Sequence, residues 1–476
     1  MATSNDFASV SGRSTRGLMR LSLRAMLVGT AALSIAACQI DLAIPNYNSA
    51  TVEGLAKDPA GLQLAATGIL VSERNNYFGY ARDISIFGRE GYYYFATDGR
   101  FVTDYLIGTG GGALSSTGFA SGNWFGYFRN MRNAVNLVNA VGTSALSTQQ
   151  KAAARGFANT FRGLDMYYAL TLRDSLGIPV EILADPSKQS PFVSRNVAYT
   201  RISAVLDSAR DDLAAAGAIA IPFTVHSGFA GFNTAPSFLQ FNRGIAARVL
   251  AVRGSLECGN ACYTQALTAL TASFIATPSS LADLNRGAYN VYSASPGDAL
   301  NSLLTAADPN LVAHASFVTD AQKKPDGTAD ARLLRKIAPL AAPRSGNPAS
   351  RSIPATQAFI VYASNTTPTS IIRNEELLLI RAEANLRLGN VPAALTDLNA
   401  VRAVSGGLAP LAAATIDDLL YERRYSLILE GMRWIDARRF GKLGTLPLDL
   451  PTHVVARVVP IPKAECDVRD VKPTGC

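Results

Sequence analysis

Between Asn374 and Lys442 the chain writes helix after helix, and no other stretch limits its fold as strongly. Leu377, Ile380, Ala384 and Leu388 recur at helical spacings of three and four, so one face of a first helix is apolar. Gly389 can take the left-handed turn that closes it. Pro392 stands where a first helical turn tolerates proline, and Ala394, Leu395, Leu398 and Val401 form the next apolar stripe. Helix, short break and helix make a helical hairpin. From Thr415, a good N-cap residue, the pattern predicts a third, long helix with Ile416, Leu420, Leu427, Gly431, Trp434 and Arg438 on one face. Glu422, Arg423, Glu430, Arg433, Asp436 and Arg439 surround that stripe. Spacings of three set Arg433 beside Glu430 and Asp436, and Asp436 beside Arg439. On spacing alone these charges make a solvated face.

A chain of 476 residues with 48% apolar and 17% charged residues can bury a large core, which excludes a largely disordered protein. Its net charge of +8 falls to +5 once residues 1–37 are set aside. That is too mild for a nucleic-acid partner, and no nucleic-acid motif is present. His226, His314 and His453 stand far apart, so they read as isolated surface or satisfied core residues, and neither a metal nor another cofactor is expected. No nucleophile elbow and no phosphate-cradling loop occurs. Carboxylates for glycoside hydrolysis are available, but none stands in a distinctive setting, so the expectation is a protein without catalysis. Trp124 and Trp434 are assigned to the core.

The N-terminus reads as an export signal. Four arginines precede an apolar run of about twelve residues, Ala25 to Ala36, too short to anchor a bilayer. Ile35-Ala36-Ala37-Cys38 resembles a bacterial lipobox, which makes residues 1–37 a lipoprotein signal peptide and Cys38 the lipidated first residue of the mature chain. An ordinary secretory signal with an incidental cysteine is the alternative. In an oxidising compartment the other four cysteines suggest two local pairs, Cys258 with Cys262 and Cys466 with Cys476.

The helical hairpin at 374–402 resembles a tetratricopeptide-type unit. Beyond that, Arg381-Ala382-Glu383-Ala384, Leu388-Gly389-Asn390, Ala394-Leu395, Leu398-Asn399, Val401-Arg402, Glu422-Arg423, Leu427, Glu430-Gly431, Arg433-Trp434, Asp436 and Arg438-Arg439 resemble, in order, the C-terminal signature of the SusD/RagB family. That family consists of surface lipoproteins of outer-membrane nutrient uptake. Ser426 stands where the family usually has Glu. Further matches are Ala154-Arg155-Gly156, Phe161-Arg162-Gly163, Tyr167-Tyr168, Gly177-Ile178-Pro179, Asp330-Ala331-Arg332 and Val459-Pro460-Ile461-Pro462. The resemblance implies a mainly all-α fold, a helical-repeat scaffold with long irregular loop insertions. Residues 38–476 would form it: 38–276 the N-terminal helical part with aromatic loops, 277–370 an irregular insertion, and 371–476 the signature region. In such proteins the signature charges lock helices together.

The resemblance also implies a function. The protein would bind oligosaccharides or peptides at the cell surface, held to the outer membrane by lipid, and pass them to a TonB-dependent, SusC-like β-barrel transporter. An envelope scaffold without nutrient binding is the alternative of another class, and a surface glycoside hydrolase a third. Sugar recognition needs flat apolar platforms edged by fork donors and carboxylate or amide acceptors. In starch-binding relatives the aromatic arc comes from the loop after the first helix, expected here over Val52–Ser72, and from the insertion. The corresponding places are Arg89, Tyr92, Tyr93, Tyr94 and Asp98, within an aromatic stretch from Tyr77 to Tyr105 whose Gly and Asp punctuation predicts loops, and Tyr289, Asn290 and Tyr292. The other reading of Tyr92–Tyr94 is a buried strand or turn against the first hairpin.

Overall fold

A computed structural model describes residues 52–476, apart from 110, 112, 186, 304–309 and 348–352. The expected signal peptide and Cys38 lie outside the described residues.

Helices dominate the described part. A short helix, Val52–Lys57, leads into the long helix Pro59–Phe87. Asp58 caps the long one by accepting from the Ala60 N–H at 2.9 Å, and Pro59 opens its first turn. The sequence had predicted an end near Ser72, with loops from Tyr77. The helix instead runs on through Tyr77, Tyr80, Ile84 and Phe87, all buried. Gly79 does not end the helix, because a glycine inside a helix costs only about 1 kcal/mol, less than burying one of those side chains contributes.

The helices Phe125–Thr143, Thr148–Arg173, Arg195–Ala216, Ala235–Arg253 and Gly259–Thr271 follow, each packed on its predecessor. Helix Thr148–Arg173 begins in a reciprocal capping box, Ser147 with Gln150, and its last twelve residues are all buried but one. Gly259–Thr271 packs on Asn374–Arg387, which pairs with Val391–Val401 as the expected hairpin. Cys258 is bonded to Cys262 and Cys466 to Cys476. Trp124 and Trp434 are both buried. Among the described residues no helix is long and apolar enough to cross a membrane.

Two further expectations are corrected by the structure. The insertion at 277–370 is not merely irregular. Leu311–Ala313, Ala355–Phe359 and Ile337–Arg344 join Gly91–Tyr93 in an antiparallel four-stranded sheet, with Leu311–Ala313 next to Gly91–Tyr93. Gly287–Asn290 pairs with Thr369–Arg373, which leads directly into the signature helix Asn374–Arg387.

The long helix predicted from Thr415 is also broken. It stops at Ser426 and restarts at Arg433, with Leu429 at φ 59° and Gly431 at φ 73° between. Ile428 and Leu429 are buried there, and a Cβ on Gly431 would stand 2.6 Å from the Tyr80 ring. The turn re-aims Trp434, which packs on Phe87 with centroids 5.0 Å apart and donates to the Ala456 carbonyl at 2.8 Å. Core burial overrides helical periodicity.

Candidate functional site

A cleft of about 800 Å³ opens between the 226–232 loop, the Gly287–Asn290 and Thr369–Arg373 strand pair, and the end of the short helix Ala331–Lys336. Gly228 lets two backbones meet here, since a Cβ on it would lie 2.0 Å from the Tyr289 carbonyl oxygen. Tyr289, Tyr362, Val291 and Phe232 supply apolar lining. Tyr289 is half-buried, and its hydroxyl donates to the Asn285 carbonyl. Burial pushes that hydroxyl up to about 12, so it stays protonated. A volume of this size suits a small oligomer.

Charge enters the cleft through Arg286, Arg335, Lys336, Arg373, Glu375 and Glu430. Arg373 is buried and gives its Nε and Nη2 to Glu430, at 2.7 to 3.1 Å, while its Nη1 pairs with Glu375. Burial alone would raise Glu375, but Arg373, Lys336 and the Ser426 hydroxyl at 2.6 Å hold it down at about 2. The Lys336 ammonium donates to the Tyr425 and Ser426 carbonyls, and burial, then Arg373, brings it down to about 8.

The first aromatic candidate divides. Arg89 sits at φ 54° with its guanidinium inside, donating to the carbonyls of Ile86, Pro447 and Val454 at 2.6–3.1 Å. It ties the end of the long helix to the C-terminal segment and does not face ligand. Tyr92 and Tyr94 are likewise interior, their rings stacked 5.5 Å apart, with Tyr92 edge-on to His314. Burial of Tyr92 follows from its place in the strand paired with Leu311–Ala313, and the neighbouring Tyr93 points to the other face. The buried-strand reading therefore holds for Tyr92 and Tyr94. Tyr93 stays half-buried in a surface group: its ring lies 4.5 Å from Phe101, which lies 5.2 Å from Phe119. Asp98 pairs at 2.8 Å with Arg100, whose guanidinium stacks 3.9 Å above Phe119.

In the second candidate, Tyr289 lines the cleft, Asn290 is buried, and Tyr292 is half-buried with its hydroxyl 3.0 Å from that of Thr369. Sequence reasoning missed Arg286, Arg335, Lys336 and Tyr362. Their signal is weak, since each is an ordinary residue type brought to the cleft by pairings that span scores of residues. No group of three His, Cys, Asp or Glu side chains is placed to hold a metal ion among the described residues.

Residues 344–467 match the model of the SusD family. Over that stretch the chain is similar to the SusD family. Solved structures agree on the fold. A SusD superfamily protein from Bacteroides vulgatus is 14% identical, with 88% of this chain and 99% of that one aligned at a TM-score of 0.65. Surface glycan-binding protein A from Bacteroides uniformis is 16% identical, covering 87% of this chain and 99% of its own, at 0.65. Its namesake from Bacteroides thetaiotaomicron, solved in complex with laminarihexaose, is 13% identical, covering 88% and 99%, at 0.66. No match is found among curated protein sequences.

The SusD signature charges do not form a solvated face. Arg332, fully buried, binds Asp330 at 2.6 Å and Glu422 at 2.5 Å, and Glu422 also takes Arg402 at 2.5 Å. Asp436 takes Arg423 at 2.7 Å and Arg439 at 2.8 Å, while Arg439 also binds Glu383 on the hairpin. Asp436 and Arg439 meet as spacing predicted. Glu430 does not take Arg433, because the break in the helix turns it toward Arg373. Ser426, the departure from the SusD pattern, donates to Glu375 and accepts from Arg332 at 3.1 Å. These charges are clamps.

Proposed function

We infer that the protein is a cell-surface SusD-type lipoprotein, tethered through Cys38, that captures glycan oligomers and hands them to a SusC-like TonB-dependent transporter, without catalysis of its own. The observation carrying this reading is the 800 Å³ cleft, in which the half-buried Tyr289 ring stands beside guanidinium and ammonium donors. The glycan-binding names of two structural relatives support sugars over peptides as the cargo. A hand-over role fits a cleft whose carboxylates, Glu375 and Glu430, are both tied to Arg373.

Calorimetry of the soluble form beginning after Cys38, against panels of oligosaccharides and peptides, tests the reading. At least one glycan should bind, and Tyr289→Ala should weaken it about tenfold or more, since one stacked ring contributes on the order of 1–2 kcal/mol. A second variant, Tyr93→Ala with Phe101→Ala, examines the surface aromatic group. Loss of binding there with Tyr289→Ala unchanged would move the site off the cleft. Binding of peptides alone would replace glycan with peptide as cargo.

A further inference from the structure

We propose that the cleft selects glycans carrying carboxylates, an inference that deepens the glycan-binding reading and rests on it. The argument is charge accounting among the lining groups. Four cations, Arg286, Arg335, Lys336 and Arg373, stand against two carboxylates, Glu375 and Glu430. Arg373 occupies both carboxylates, and Glu375 takes the Ser426 hydroxyl as well. The lining therefore carries two more positive than negative charges, and its other three cations make no ion pair with a carboxylate among the described residues.

Each of the three is held differently. Arg335 is tethered through one nitrogen to the Ser405 carbonyl at 2.7 Å and to its hydroxyl at 3.3 Å, both neutral acceptors. Lys336 is fixed by two backbone carbonyls, which use two of its three donors. Arg286 stands exposed on the rim, and its guanidinium has no hydrogen-bond or ion-pair partner among the described residues. Burial first, and then Arg373, lower the Lys336 ammonium against the pull of Glu375 and Glu430. A neutral sugar would leave this excess positive charge unanswered. A uronate-type ligand would lay its ring on Tyr289 and put its carboxylates among guanidinium forks, whose geometry matches a carboxylate. Cationic glycans and lysine-rich peptides would be repelled.

The test pairs a charged sugar with its own neutral derivative. Trigalacturonate and its fully methyl-esterified form are titrated by calorimetry into the soluble chain, with laminarihexaose as an uncharged reference. The acid should bind at least tenfold more tightly than the ester, and raising salt from 50 to 500 mM should weaken the acid alone. Arg286→Gln with Arg335→Gln, two exposed side chains whose loss leaves the buried clamps intact, should bring acid and ester within about threefold of each other. Circular dichroism confirms that this variant folds. Equal affinities in the unaltered protein, or a preference that survives the double substitution, would overturn the proposal. Laminarihexaose binding that Tyr289→Ala abolishes, without preference for the acid, would overturn the charge selection and leave the glycan reading standing. Absence of binding by every saccharide would remove both.

Discussion

Glu73 lies on the long helix Pro59–Phe87, wholly enclosed, with the Tyr168 hydroxyl 3.4 Å from one oxygen. Burial raises its carboxyl from 4.5 to about 7, against the pull of Asn290, Tyr168 and two arginines. The folded value exceeds the unfolded one, so this group's contribution to stability is complete below pH 4.5 and is lost as pH rises through 7. Glu73→Gln keeps an acceptor for Tyr168 and removes the charge. It should stabilise the protein by on the order of 3 kcal/mol at pH 8 and by almost nothing at pH 4.5, read from urea unfolding at the two values. Equal gains at both would show that ionisation is not the cause. Arg332 presents the opposite case, a cation with two carboxylates and no exposure. Arg332→Met would strand Asp330 and Glu422, and should cost about 3–5 kcal/mol by chemical denaturation. The sequence could name these charges but not their burial. Helical spacing locates a residue around its own axis, and says nothing of which arginine, ninety positions away, will meet it.

Most elements were legible because the helices are amphipathic and capped by Ser147, Ser194, Thr234 and Thr415. The break at 427–432 was not. Leu427, Gly431 and Trp434 suit a continuous apolar stripe, and only the fold reveals that Leu429 and Gly431 take positive φ so that Trp434 can reach Phe87. Gly431 is required twice over, for its φ of 73° and for the Tyr80 ring that a Cβ would meet at 2.6 Å. Gly431→Ala should therefore cost about 2–4 kcal/mol, the left-handed penalty plus overpacking. Gly441 makes the comparison, with φ 69° but nothing within 4 Å of an added Cβ. Its alanine variant should cost only about 1–2 kcal/mol. A similar loss in both would mean that backbone conformation, not the Tyr80 contact, holds the break in place. The short strands were illegible for a related reason: three to five residues carry too little periodicity to separate strand from loop, and their partners lie far along the chain.

At the scale of the molecule, the last part of the chain straps over the first. The Val454 N–H donates to the Leu106 carbonyl, Val459 to Leu172 and Lys463 to Ser116, at 2.6 to 3.0 Å. Trp124 donates to Glu465 at 3.3 Å, Gln189 to the Val468 carbonyl, and Arg469 to the Ser190 carbonyl. This explains why the candidate site was only partly legible. The cleft draws on 227–232, 281–291, 335–336, 361–375 and 405–430, segments that meet only once the chain has closed on itself. Tyr289 could be singled out as an aromatic in the insertion, whereas Lys336 has no mark until the short helix Ala331–Lys336 delivers it. The same closure sets how the molecule should unfold. Cys466–Cys476 spans a sequence separation of 10 and fixes the tail that grips 189–190. Replacing both cysteines with alanine releases a small unfolded-state loop, worth about 2–3 kcal/mol on chain entropy. Because the strap bonds to early helices and to the signature region alike, calorimetry should show one transition moved to lower temperature, with its cooperativity kept. A second, separate low-temperature transition in the double variant would mean instead that the tail unfolds on its own and that the strap is not part of the cooperative core.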